Sequence, residues 1–139
     1  MLQALGYPLE HLGIAVADEA AAVARYTQLL GVGPYKEELV EREGVKTIFF
    51  RTGESKIELL VATQPDSPVA KFIEKRGEGL HHVAFAVGDI VEEMARLRAL
   101  GFELLADAPK PGADGKLIVF LHPRSTGGVL VELCMDAPA

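Results

Sequence analysis

Four side chains in this sequence stand where the ligands of a metal ion would stand. His11 opens the run HLGIAV, and His82 opens HVAFAV 71 positions later. Glu58 lies inside KIELL and Glu132 inside VLVELC, 47 and 50 positions after the respective histidines. A carboxylate set between leucines in an extended run is costly to bury unless something pairs with it. Taken singly, such a histidine is an ordinary hydrogen-bonded residue and such a glutamate an ordinary partner for arginine. Recurring at equivalent places in two halves, they read as two imidazoles and two carboxylates facing one divalent ion. Cobalt, manganese, nickel and zinc all suit that set. At a five- or six-coordinate ion, four protein ligands leave room for water or substrate, as catalysis requires.

Two neighbouring histidines compete for one role, and the repeat decides between them. HVAFAV overlays HLGIAV, so His82 is the equivalent of His11. Side chains alternate across a strand, which predicts His81 on the opposite face. His122 precedes a proline at a strand end and has no counterpart in the first half, so it stays outside the set. Cys134 shares the face of Glu132 and reads as a small buried hydrophobe.

The elements that must carry these residues are themselves repeated. HLGIAVADEAAAVARYTQLLG, from His11, aligns with HVAFAVGDIVEEMARLRALG, from His82. Val16 falls on Val87, Asp18 on Asp89, Val23 on Met94, Tyr26 on Leu97 and Leu29 on Leu100. Each copy reads as a strand, an acidic N-cap, an amphipathic helix and a glycine stop at Gly31 or Gly101. Three strand signals follow in each half: YKEELVE, GVKTIFFRTG and SKIELLVA, then FELLADAP, KLIVFLHP and GGVLVELCM. Gly53-Glu54 suits a hairpin turn, and Ser67-Pro68 suits the cap and first position of a short connecting helix. The chain is expected to be one α+β domain over 1–139. Module one spans about 7–63, a linker helix about 64–80 and module two about 81–136, each module βαβββ. Neither half can cover its own apolar sheet face, so the two are expected to form one curved, mostly antiparallel half-barrel sheet.

Composition narrows the partners. The net charge of −6 gives no basic field for neutralising phosphates, so no nucleic acid is expected. No apolar window is long enough to cross a bilayer, and MLQALGYPLEH carries no basic stretch leading into an apolar one, so neither a membrane nor a secretory signal is expected. The one cysteine, Cys134, precludes an internal disulfide framework and fits a reducing, cytoplasmic setting.

With these residues in place, the chain resembles the vicinal oxygen chelate superfamily, whose paired βαβββ modules surround a divalent ion. Within it the chain is similar to the methylmalonyl-CoA epimerase family, above all in DSPVAKFIEKRGEGLHHVAF (66–85) and GKLIVFLHPRSTGGVLVEL (115–133). Glyoxalase I shares the fold and a similar ligand set, but its last strand usually follows a DPDG turn, where this chain has HPRSTGG. The resemblance implies interconversion of (2R)- and (2S)-methylmalonyl-CoA, with cobalt the favoured ion and a homodimer the expected assembly. It implies removal of the α-proton, with the ion stabilising the enediolate, and proton return on the other face. Some members carry glutamine where this chain has Glu58, with a catalytic glutamate on the preceding strand; the matching position here is Thr47. The expected acid–base pair is therefore Glu58 and Glu132, with Glu43, at the strand parity of Thr47, in reserve. Thr47, Lys110, Lys116 and Arg124 are the expected substrate contacts, the three cations serving the CoA phosphates. A glyoxalase I-like lyase, or a non-catalytic drug-binding protein of the same fold, are the alternative readings.

Overall fold

A computed structural model of the chain describes residues 6–138. Its strands are β1 (Leu9–Val16), β2 (Lys36–Val40), β3 (Val45–Thr52), β4 (Ser55–Ala62), β5 (Gly79–Ala86), β6 (Lys110–Pro111), β7 (Lys116–Leu121) and β8 (Val131–Asp136). Its α-helices are α1 (Glu19–Leu30), α2 (Pro68–Arg76) and α3 (Ile90–Ala99). The fold class is α+β, as the sequence implies. The strand order β2-β3-β4-β1-β5-β8-β7-β6 puts the first and last strands of each βαβββ copy side by side. Those pairs, β1 with β4 and β5 with β8, are parallel. The pairs β2–β3, β3–β4, β6–β7 and β7–β8 are antiparallel.

The chain divides into two compact units, one of His11–His82 and the other of Val83 onward together with the stretch ending at Glu10. The division falls inside β1 and β5, so these two strands run through both units. In the first unit, α1 begins where the Asp18 carboxylate accepts the Ala21 N–H at 3.0 Å, and it ends at Gly31, whose φ of 77° is the left-handed turn glycine supplies most easily. Val23, Tyr26 and Leu30 pack from α1 onto Val16, Ile48, Phe50 and Leu59. These sheet residues alternate along β1, β3 and β4, so the helix covers one face and leaves the other to His11, Gly13, Thr47, Phe49, Lys56 and Glu58. The Ser67 hydroxyl caps α2 by accepting the Ala70 N–H, and Pro68 takes the first position, where no N–H is needed.

The second unit repeats the scheme. Asp89 accepts the Glu92 N–H, and Ile90, Met94 and Leu97 of α3 bury against Val119, Leu121 and Leu133. Ala84, Ile118 and Cys134 cluster on the other face of that sheet segment. Leu29 and Leu100, matched by the repeat, are both exposed, so that correspondence carries no core function. FELLADAP is not a strand. It makes an isolated bridge, Leu104 with Leu121, while β6 is reduced to Lys110–Pro111. Pro109 and Pro111 have no N–H to extend a ladder, and Glu103 N–H donates to the Ser125 hydroxyl instead. Phe102, Leu104 and Ala106 still pack against the α3 core, which explains their apolar character without a strand.

Candidate metal centre

Strand alternation brings the titratable residues of the first unit to the face that α1 leaves uncovered. In register, His11 of β1 lies opposite Lys56 of β4, and Gly13 opposite Glu58; across β3, Glu58 lies opposite Phe49. His11, Glu58, His82, Lys56 and Thr47 are all buried. The imidazoles of His11 and His82 meet edge to face, with their Nε2 atoms 3.0 Å apart. On its other edge, His11 Nδ1 meets Glu58 Oε2 at 3.1 Å, and the Lys56 ammonium stands 3.6 Å from the same oxygen and 5.6 Å from the centroid of the Phe49 ring. His82 Nδ1 faces His81 Nδ1 at 2.9 Å, and His81 stands edge-on to Phe72 of α2. The groups form a row: Lys56, Glu58, His11, His82, His81.

Two features fix His82. A Cβ built on Gly13 would lie 2.2 Å from its Cε1, so the imidazole rests against the one β1 residue with no side chain to displace it. Burial, followed by the neighbouring His11 and His81, holds its pKa well below the ordinary 6.5, so the ring is neutral. Burial also lowers His81. Neutral imidazole is the form that binds a cation. Two nitrogens bound at about 2.1 Å with a right angle between them stand about 3.0 Å apart, which is the Nε2 spacing here. The donor set therefore fits a first-row divalent ion.

In the second unit, Glu132 of β8 is buried, with Ala84 of β5 and Phe120 of β7 as its register partners. It occupies the face turned away from the α3 core, the counterpart of Glu58 in the first unit. Glu43 is not at the strand parity of Thr47. It closes a 3-10 turn (Glu41–Glu43) ahead of β3, because Gly44, at φ 62°, turns the chain before pairing begins. Lys116 is ion-paired with Asp136 at 2.5 Å and lies 4.0 Å from Glu10. Arg124 makes a bidentate pair with Glu103, and Lys110 is exposed in β6. His122, set aside from the ligands, accepts the Arg124 N–H at a turn.

Alternation did not separate His81 from His82 as expected. It fixes the direction of each Cβ but leaves the ring nitrogens free to swing back over the strand. Lys56 went unnoticed in the sequence, although its place two residues before Glu58 puts it on the same face.

The signature of the Glyoxalase/Bleomycin resistance protein/Dioxygenase superfamily matches residues 10–120. The chain belongs to that superfamily. It is 43% identical over 126 residues to YqjC of Bacillus subtilis, covering 91% of this chain and 90% of that one. It is 43% identical over 129 residues to the ethylmalonyl-CoA/methylmalonyl-CoA epimerase of Cereibacter sphaeroides, covering 90% and 95%. A Streptomyces coelicolor methylmalonyl-CoA epimerase variant in complex with 2-nitronate-propionyl-CoA superposes with a TM-score of 0.86 at 37% identity, over 94% of this chain and 97% of that one. The fold is thus glyoxalase-like, and epimerases are among the superfamily members this chain resembles.

Proposed function

We propose that this chain epimerises (2R)- and (2S)-methylmalonyl-CoA with the help of one divalent cation. The observation that carries the reading is the row from Lys56 to His81, in which the Nε2 atoms of His11 and His82 stand 3.0 Å apart. His11 and His82 are its nitrogen donors. Glu58, whose Oε2 meets His11 Nδ1, is assigned as a carboxylate ligand from the first copy. Glu132 completes the set: it is buried, of a type suited to a metal, and a register partner of Ala84, two residues after His82 on the same face of β5. Cobalt is the favoured ion, with manganese, nickel and zinc as substitutes.

A bound cation supplies positive charge beside the thioester oxygen, where negative charge grows as the α-proton leaves. Inversion at the α-carbon needs one group to take the proton and another to return it. Glu58 and Glu132 are assigned these roles, one from each βαβββ copy, and Glu43 is the reserve. Thr47 is assigned to the substrate's acyl portion, and Lys110, Lys116 and Arg124 to the CoA phosphates, Lys116 and Arg124 by exchanging their present carboxylate partners for phosphate. A cytoplasmic homodimer completes the reading. The ethylmalonyl-CoA named for the Cereibacter sphaeroides relative makes it the first alternative substrate to test.

Incubation of the cobalt-loaded protein with methylmalonyl-CoA in deuterium oxide should place deuterium at the α-carbon. Glu132→Gln should abolish that exchange while substrate still binds. Absence of exchange in the wild type, together with turnover of the methylglyoxal–glutathione hemithioacetal, would replace this reading with the lyase.

A further inference from the structure

Arg51 has no part in the reading above, yet β3 presents it on the same face as Thr47 and Phe49, the face that α1 leaves uncovered. The register across three strands runs from His11 of β1 to Lys56 of β4 to Arg51 of β3. At the backbone, Arg51 therefore stands two strand spacings, about 10 Å, from the histidine. Burial falls off along that line: His11 and Lys56 are buried, and Arg51 is exposed. The Arg51 guanidinium lies over the Tyr35 ring, 4.7 Å from its centroid. Tyr35 in turn contacts the Phe49 ring and donates its backbone N–H to the Phe49 carbonyl. Among the described residues no carboxylate pairs with Arg51. Lys36 of β2, the register partner of Phe49, lies 5.1 Å over that ring and 3.7 Å from the Glu38 carboxylate. Two cations thus rest on aromatic supports at the solvent end of the face that carries His11 and Glu58.

A guanidinium lying over a ring gives up only its flat side. Its N–H donors point outward in its own plane and can still grip a tetrahedral anion from the edge. A coenzyme A thioester whose acyl group sits at the histidines carries such anions at the far, solvated end of its pantetheine arm. That arm is long enough to cover the distance to Arg51. We infer that Arg51, positioned by Tyr35, binds a phosphate of the thioester, and that Lys36 adds positive charge beside it. The inference rests on the acyl-CoA reading and adds a contact from the first unit to the cations already assigned. Lys116 and Arg124 must each release a carboxylate to bind phosphate, whereas Arg51 has none to release.

Kinetics with two substrates read the contact: methylmalonyl-CoA, and the methylmalonyl thioester of pantetheine, which carries no phosphate. Arg51→Gln should raise KM for methylmalonyl-CoA about tenfold, the loss of one charge-assisted contact, while kcat moves little. KM for the pantetheine thioester should stay within about twofold of wild type on the same grounds. Arg51→Lys keeps the charge without the planar fork and should fall between the two. Tyr35→Leu, which removes the support alone, should raise KM for the CoA thioester only. An equal rise for both thioesters would make Arg51 merely structural, and no rise for either would remove it from the site; each result overturns the inference. Calorimetric titration with coenzyme A repeats the test without turnover, and Arg51→Gln should bind it about tenfold more weakly. If wild type fails to exchange the α-proton of methylmalonyl-CoA but this weakening is seen, the epimerase reading fails and the phosphate contact stands. If wild type exchanges the proton and both proteins bind coenzyme A equally, the contact alone fails. A wild type that binds no coenzyme A ends both.

Discussion

Glu58 is the residue on which most of the site's electrostatics turn. Its Oε2 is shared between the imidazole of His11 and the ammonium of Lys56, and all three groups are buried. Removing one partner of a buried ion pair strands the other charge, at a cost of about 3–5 kcal/mol. Lys56→Met should therefore lower stability by about 3 kcal/mol in urea unfolding. Adding Glu58→Gln should recover part of that loss, because the buried carboxylate that Lys56 faced is gone. Additive losses in the double variant would mean that the pair is not coupled. The triad of Tyr7, Glu93 and Arg96 allows a test by pH. The Tyr7 hydroxyl donates to the Glu93 carboxylate, and the Arg96 guanidinium reaches the Tyr7 oxygen at 2.6 Å. The bond from Tyr7, then that from Arg96, lowers Glu93 below the ordinary 4.5, so its contribution is present above that pH and lost as the solution becomes more acid. Burial, then Glu93, raises Tyr7 above the ordinary 10.0, so its contribution is present below pH 10 and lost as the pH rises further. The stability difference between wild type and Tyr7→Phe should be greatest between these limits and shrink toward both extremes. A difference that is flat across the range would refute the assignment.

At the scale of the elements, the helices were the most legible part of the sequence. Asp18, Ser67 and Asp89 each cap the helix expected of them, because a short acceptor before an apolar period has one economical use. Asp89→Ala should lower stability by about 1 kcal/mol and the melting temperature by a few degrees, leaving the far-ultraviolet spectrum unchanged. The strands that carry His11, Glu58, His82 and Glu132 were legible for a related reason: a polar residue at fixed parity in an apolar strand stands out against a period of two. What escaped was non-local or side-chain in origin. Phe102–Pro109 has the apolar content of a strand, but prolines and the bond from Glu103 N–H to Ser125 divert its ladder. Glu43 has the right parity only if β3 begins earlier than Gly44 permits. The approach of His81 to His82 depends on ring rotation, which strand periodicity does not encode.

For the molecule as a whole, a cation held by His11 and His82 would join residues whose histidine anchors lie 71 positions apart. Ligand binding to the folded state alone stabilises it by mass action, about 2.7 kcal/mol at a hundredfold excess over Kd. Cobalt at that concentration should raise the melting temperature by several degrees, and a chelator should return it to the metal-free value. No shift in either direction would remove the cation from the account. Gly13 has a consequence that reaches furthest along the chain. Since the His82 imidazole occupies the space of a side chain at position 13, substitutions at the two positions should be coupled. In a saturation library, position 13 would score as intolerant as a ligand, although it donates nothing. Survivors there should be enriched in changes at codon 82, where a smaller residue gives up the histidine to make room.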